Sequence, residues 1–312
     1  MNSQDSILSG KFCLDILRNP IAMSINERTN LDRVISPIWA VLFAIFFVMG
    51  FYVYLPIYLS NILGWDFYLD SDNIPLVWSI VIIAGLSIFI AYILFIILIY
   101  LLIDRQNKHF LREKNLRMNI ISFLVAANNV AKGKFDISEQ LSALYSVDQD
   151  ANMADRQRSA FGWPIFFFVF PIIMSPILSM VLFALVLTTD AHGFYNLVII
   201  LFIAIPAIVV ISLIVYIFNF LMNGIHDHDR RWDTFAQYTK SAMNVMGLDM
   251  RTMYSRLKIP KRAILLYTII SIFTLGLFLP YWFYILIIDP NNHFKRQWNF
   301  EDQFLQAIFT KQ

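Results

Sequence analysis

Leu101–Arg112 reads LLIDRQNKHFLR, and Leu286–Arg296 reads LIIDPNNHFKR. Each stretch closes a long apolar run. Each then gives Asp104 or Asp289, asparagine, His109-Phe110 or His293-Phe294, and basic residues. Ile217–Trp232, IFNFLMNGIHDHDRRW, is a looser third copy after another apolar run. An apolar run that ends abruptly in charge is what a helix shows on leaving a bilayer, so the recurring junction reads as a membrane exit.

The rest of the chain agrees. Of its 312 residues 58% are hydrophobic and only 15% are charged, with a mean hydropathy of +0.62. Soluble domains carry roughly 25% charged residues, so the deficit places the chain among membrane proteins. No Asp, Glu, Lys or Arg occurs in 34–65, 73–103, 159–189, 191–226 or 263–288. A helix crosses the hydrocarbon in about 20 residues, and each window is long enough. The runs are continuous, without the alternation of barrel strands. The expected fold is all-α: a polytopic helical membrane protein of two transmembrane hairpins plus a fifth span or re-entrant segment, with amphipathic cytoplasmic arms.

This divides the chain into an N-terminal segment (1–34), hairpin 1 (35–103), an arm (104–159), hairpin 2 (160–222), a second arm (223–262), the fifth membrane segment (263–288) and an amphipathic tail (289–312). Within the first segment, Leu8, Phe12, Ile16 and Leu17 suggest a short interfacial helix stopped by Pro20. Leu116, Ile120, Phe123, Leu124 and Ala127 extend the second span as an amphipathic helix. Gly133 and the polar run Ser146–Asp155 read as a loop. Phe300, Phe304 and Ile308 mark a helical face in the tail.

Sidedness follows from Lys and Arg near span ends. Segments 104–159 and 223–262 hold nine and eight of the 24, and the two short loops at the other face hold none. The N-terminus and both arms are therefore expected in the cytoplasm of a cell-membrane protein. For 263–288 a plain crossing is the first expectation. Re-entry is the alternative, with Thr274-Leu275-Gly276 and Pro280 as the break.

Thr274-Leu275-Gly276 through Pro280-Tyr281-Trp282-Phe283-Tyr284, followed by His293-Phe294, resembles the T-L-G…Y-W-x-Y signature of small uncharacterised prokaryotic membrane domains. The resemblance covers about a tenth of the chain and implies a membrane location without a chemistry.

The densest group of reactive side chains is Asn223–Asp233, NGIHDHDRRWD. His226, His228, Asp227, Asp229 and Asp233 are metal-capable, and Arg230 and Arg231 could hold phosphate oxygens. The spacing Asn223-x-x-x-Asp227 and Asp229-x-x-x-Asp233 is similar to the Asp-rich motifs of intramembrane prenyltransferases, which implies magnesium and a pyrophosphate. The simpler reading makes it a charged helix exit with no catalytic, cofactor or metal role. His109 and His293 recur without the acidic cluster, which favours a positional role for them too. Cys13 is the lone cysteine, so a thiolate zinc site is excluded. No phosphate-cradling glycine motif occurs, and a net charge of +2 argues against nucleic acid.

On these grounds the leading expectation is a non-enzymatic scaffold or accessory subunit. Its partners would be the lipid bilayer and a homo-oligomer or larger membrane complex, and it would need no cofactor. An enzyme acting on a lipid or isoprenoid phosphate with a divalent metal comes second. A transporter comes third, because the spans lack a charge relay.

Overall fold

The computed structural model describes residues 16–63, 74–131, 134–170, 192–248, 250 and 259–309, together with 173–174, 177 and 180. Among the described residues there is helix and no strand. The elements are α1 (16–26), α2 (Arg28–Leu31), α3 (Ile38–Leu63), α4 (Ile74–Val130), α5 (Ser138–Ala154), α6 (162–170), α7 (His192–Val245), α8 (Ile264–Phe273) and α9 (Leu279–Phe309). Leu8, Phe12, Pro171, Pro176 and the loop after α3 lie outside the described residues.

The stretches Trp78–Val130 and Ile208–Val245 are long and apolar enough to cross a membrane. Their outer faces carry large exposed apolar side chains, among them Trp78, Ile82, Ile83 and Phe89 on α4. Both helices run without interruption from the apolar windows into the charged arms, so the Asp104 and Asp227 junctions fall inside helices.

Two cores stack along the bundle. The upper one gathers Phe43, Leu98, Phe167, Phe218, Trp282 and Phe283 from five helices. Its rings meet edge-on, with Phe218 and Trp282 4.7 Å apart and Phe43 and Phe283 5.0 Å apart, the arrangement their quadrupoles favour. The helices of hairpin 1 touch closely at Gly50, where an added Cβ would stand 2.9 Å from the Ile88 backbone nitrogen. The lower core joins Ile21 and Ile25 of α1, Leu116 and Leu124 of α4, Leu144 of α5, Trp232 and Phe235 of α7, and Phe300 and Phe304 of α9.

Two local expectations change. Pro20 does not stop α1, which runs through it; the missing N–H costs one helical hydrogen bond, while Ile21 and Ile25 are buried against α4 and α9. The run Ser146–Ala154 is helix, because α5 buries Leu144 and Ala151 on one face. Its polar side chains bond along and across helices, Asn152 to Asp148 and Arg117 to Asp148, each at 2.9 Å.

Within 263–288, after the ten residues of α8, the chain turns at Leu275 and Gly276, which have φ of 50° and 89°. The turn explains the glycine, since positive φ costs it little. The chain then returns as α9. Arg262, just before α8, pairs with Asp289 on α9 at 2.9 Å, so both ends of the segment meet. The backbone thus doubles back as a helical hairpin, the shape expected of the re-entrant alternative. At 1.5 Å per residue α8 is about 15 Å long, half a hydrocarbon core.

Candidate metal centre

Where the two cores meet lies a layer of buried polar residues supplied by the three junctions. Pro290 inside α9 has no N–H to bond the Leu286 carbonyl four residues earlier. Arg105 of α4 donates to that oxygen instead, Nη2 at 2.9 Å, and also to Asn291 Oδ1 at 2.9 Å. Asn291 Nδ2 donates to the Ile35 carbonyl at 2.8 Å, which ties α9 to the start of hairpin 1.

At the centre of this layer the junction histidines converge. His109 comes from α4, His228 from α7 and His293 from α9, and all three are fully buried. His109 Nε2 lies 3.1 Å from His228 Nε2 and 3.2 Å from His293 Nε2. Glu113, one turn after His109 on the same face of α4, brings Oε2 to 2.6 Å from His228 Nε2 and 3.6 Å from His109 Nε2. That oxygen is buried and has no partner in hydrogen-bond geometry. All four donor atoms lie within 4.8 Å of one another.

The far side of each imidazole is held by a carboxylate. His109 Nδ1 donates to Asp32 Oδ1 at 2.9 Å, His228 Nδ1 to Asp155 Oδ2 at 2.9 Å, and His293 Nδ1 to Asp229 Oδ1 at 2.6 Å. A carboxylate only accepts, so each Nδ1 carries the proton. The Nε2 atoms of His109 and His293 are then left with a lone pair toward the centre, whereas His228 Nε2, 2.6 Å from Glu113, offers one only when deprotonated. Each aspartate is fixed in turn by an arginine three residues after a histidine. Arg112 holds Asp32 at 2.6 Å, Arg231 holds Asp155, and Arg296 holds Asp229 at 2.6 Å. Trp298 Nε1 adds a bond to Asp32 at 2.9 Å, and the Ile259 N–H one to Asp229 at 3.1 Å.

The residue after each histidine serves the next one around the ring. Phe110 lies tilted against His228 with centroids 4.5 Å apart, and Phe294 against His109 at 4.3 Å. In the second junction that place is taken by Asp229, which reaches His293. This explains why the second copy reads His-Asp rather than His-Phe. The first two units bring their aspartates from the segment entering each hairpin, in matching Asp32-Arg33-x-x-Ser36 and Asp155-Arg156-x-x-Ser159. The third has no such entry motif, and Asp229 supplies its carboxylate.

Electrostatics follow from these partners. Burial opposes charge on His228, but Glu113 and Asp155 outweigh it and raise its pKa to about 9. Burial and the neighbouring rings hold His293 down to about 4, against the pull of Asp229. Glu113 sits well below the usual carboxylate range: burial raises it, but His228 and Arg117 more than compensate. Asp32 is lowered to about 2 in the same way, its burial outweighed by His109 and Arg112. His228 therefore keeps its proton near neutrality, and His293 does not take one up.

Three imidazole lone pairs and a carboxylate oxygen aimed at one point are reconciled only by a cation, either that proton or a metal ion. A tetrahedral ion with ligands at 2.0–2.1 Å sets them about 3.3 Å apart, close to the 3.1 and 3.2 Å between His109 and the other two rings. Glu113 Oε2, at 2.6 Å from His228 Nε2, stands at hydrogen-bond distance and would move apart on binding. Carboxylates behind metal-bound imidazoles are the usual second layer of such sites.

Comparison with protein-family models, with curated proteins and with solved structures finds no match.

The acidic cluster singled out in the sequence is divided among several uses. His228 joins the centre, and Asp229 orients His293. His226 bonds the Ile259 carbonyl at 2.6 Å. Asp227 and Arg230 are exposed, Asp233 is buried, and Asn223 bonds Asn219 at 2.8 Å. Arg231 is committed to Asp155. His109 and His293 read as positional in the sequence rather than as ligands, and Glu113, Asp32 and Asp155 were not singled out. Two repeated spacings, His-x-x-Arg in all three junctions and Asp-Arg-x-x-Ser before both hairpins, were the signals that could have found most of them.

Proposed function

We propose that this is an integral membrane protein whose three helix exits are locked together by one transition-metal ion, zinc in the first place, held by His109, His228, His293 and Glu113. The observation that carries the reading is the convergence of three Nε2 atoms whose Nδ1 atoms are all bound to carboxylates. Imidazole with one carboxylate suits zinc, and iron, copper or nickel follow. His228 Nε2 must lose its proton to coordinate, so binding releases about one proton near pH 7.

The role that fits is structural. Four protein donors close the shell, as in structural zinc sites; catalytic sites keep a position open. This supports the scaffold or accessory-subunit reading, with the metal fixing how the cytoplasmic arms are presented to a partner or to a second copy. A phosphate-processing site at 223–233 has less support, since Arg231 and Asp229 are already committed.

Four crossing segments and a re-entrant hairpin of α8 and the start of α9 make up our topology. The N-terminus, both arms and the C-terminal tail then lie in the cytoplasm, because His293 shares a centre with the two arms that carry most of the Lys and Arg. Elemental analysis of protein purified without a metal-affinity tag tests the metal. We expect about one equivalent of metal per chain, falling below a tenth in a His109→Ala, His293→Ala double variant. Equal metal in both proteins would overturn the assignment. A membrane-impermeant label at Lys311 tests the topology: labelling from outside intact cells would contradict it.

A further inference from the structure

Beside the metal centre, between α4 and the C-terminal end of α5, is a polar cavity of about 340 Å³. Its walls include Lys114, Arg117, Asn152, Asp155, Arg156 and Gln157, with the Phe110 ring at the back. The volume is that of a small-ligand site. Three of these side chains are cations and two are amides, against one carboxylate.

The charges are unevenly spent. Asp155 is neutralised by Arg231 and by its bond from His228. Arg117 is neutralised by Glu113 and Asp148. Among the described residues no ion pair engages Lys114 or Arg156; Arg156 Nε donates only to the Met153 carbonyl, at 3.2 Å. Two uncompensated cations therefore face the cavity, with the amides of Asn152 and Gln157 as further donors. A guanidinium and an ammonium flanking amide N–H groups is the donor set that an oxyanion with several acceptor oxygens satisfies.

The two walls of the cavity stand at different depths. Lys114 stands ten residues beyond the helix exit at Asp104, about 15 Å along α4. Arg156 and Gln157 stand just before the apolar window that opens at 159, where Arg158 is level with Asn107. We propose that the cavity binds a phosphate group, carried by a soluble molecule or by a lipid headgroup. The site does not require the metal, although two of its walls, Arg117 and Asp155, are the supports of Glu113 and His228.

The test is calorimetric titration of inorganic phosphate into the full chain in nanodiscs of zwitterionic lipid. It is repeated after chelation, after addition of anionic lipid, and with a Lys114→Gln, Arg156→Gln variant. Both positions are exposed, and unchanged metal content and melting show that the variant folds. Saturable binding that weakens at least tenfold in the variant and persists after chelation supports the site, whether or not the centre binds metal. Equal affinity in the variant, or no saturable binding, overturns it. Binding lost on chelation places the anion on the metal and also overturns it. Anionic lipid that displaces phosphate only in the parent protein supports the site with a headgroup as its source, and saturable binding that anionic lipid leaves unchanged supports it with a soluble one.

Discussion

The apolar half of the bundle and the junction layer beneath it differ in what holds them. In the apolar half, rings and aliphatic chains from several helices fill a core, and its outer surface is equally apolar. In the junction layer Arg105, Arg112, Arg117, Glu113, Asp229 and three histidines are buried. Arg105 is held by carbonyl and amide oxygens, and the others have an oppositely charged or ionisable partner within 3 Å. The first kind of packing tolerates exchange among apolar residues of similar volume. The second does not, because removing one partner strands another buried charge. Helices long and apolar enough to cross a membrane therefore depend on composition, whereas the identity of the site depends on individual atoms.

The comparison is broken most severely by removing a metal donor. Replacing His293 with Ala is expected to lower zinc affinity by at least about a hundredfold, a larger loss than for an outer carboxylate. Competition with a chromophoric chelator measures it. Asp32→Asn, Asp155→Asn and Asp229→Asn should each cost about 10- to 100-fold. The three should cost alike despite coming from different segments, and Asp227→Asn should cost nothing. A loss at only one of the three would contradict the pseudo-symmetric ring.

The pH dependence has a definite sign. His228 is raised to about 9 in the metal-free protein by Glu113 and Asp155, against burial. Its proton must leave for metal to bind, so affinity should rise about tenfold per pH unit between 7 and 9 and level off above. A flat profile across that range would show that His228 is not a ligand. In the apolar half, Gly50→Leu should destabilise the α3–α4 pair by about 1–3 kcal/mol through overpacking. It should leave metal stoichiometry unchanged. Unfolding in mixed detergent with parallel metal analysis separates the two regions.

This division also explains what could be read in the chain beforehand. The apolar windows and the continuation of α4 into an amphipathic arm follow from composition and period alone. The junctions were visible as repeats, and the 223–233 cluster drew attention to His228. That His109 and His293 meet it was hidden, because a repeat shows equivalence and not convergence. Asp32 and Asp155 lie 77 and 73 residues from the histidines they hold, and Glu113 passes for one more charge on an arm. The hairpin of α8 and α9 rests on the turn at Gly276 and on Arg262 meeting Asp289, and that pairing is not visible in the sequence.

The central claim is that three imidazoles and one carboxylate share an ion. X-ray absorption at the zinc edge, on protein reconstituted with one equivalent, tests it most directly. The expected first shell is four nitrogen or oxygen neighbours at about 2.0–2.1 Å, with the outer-shell scattering of three imidazoles that is reduced to two in His228→Ala. A six-oxygen shell without imidazole scattering, identical in the parent and variant proteins, would contradict the account.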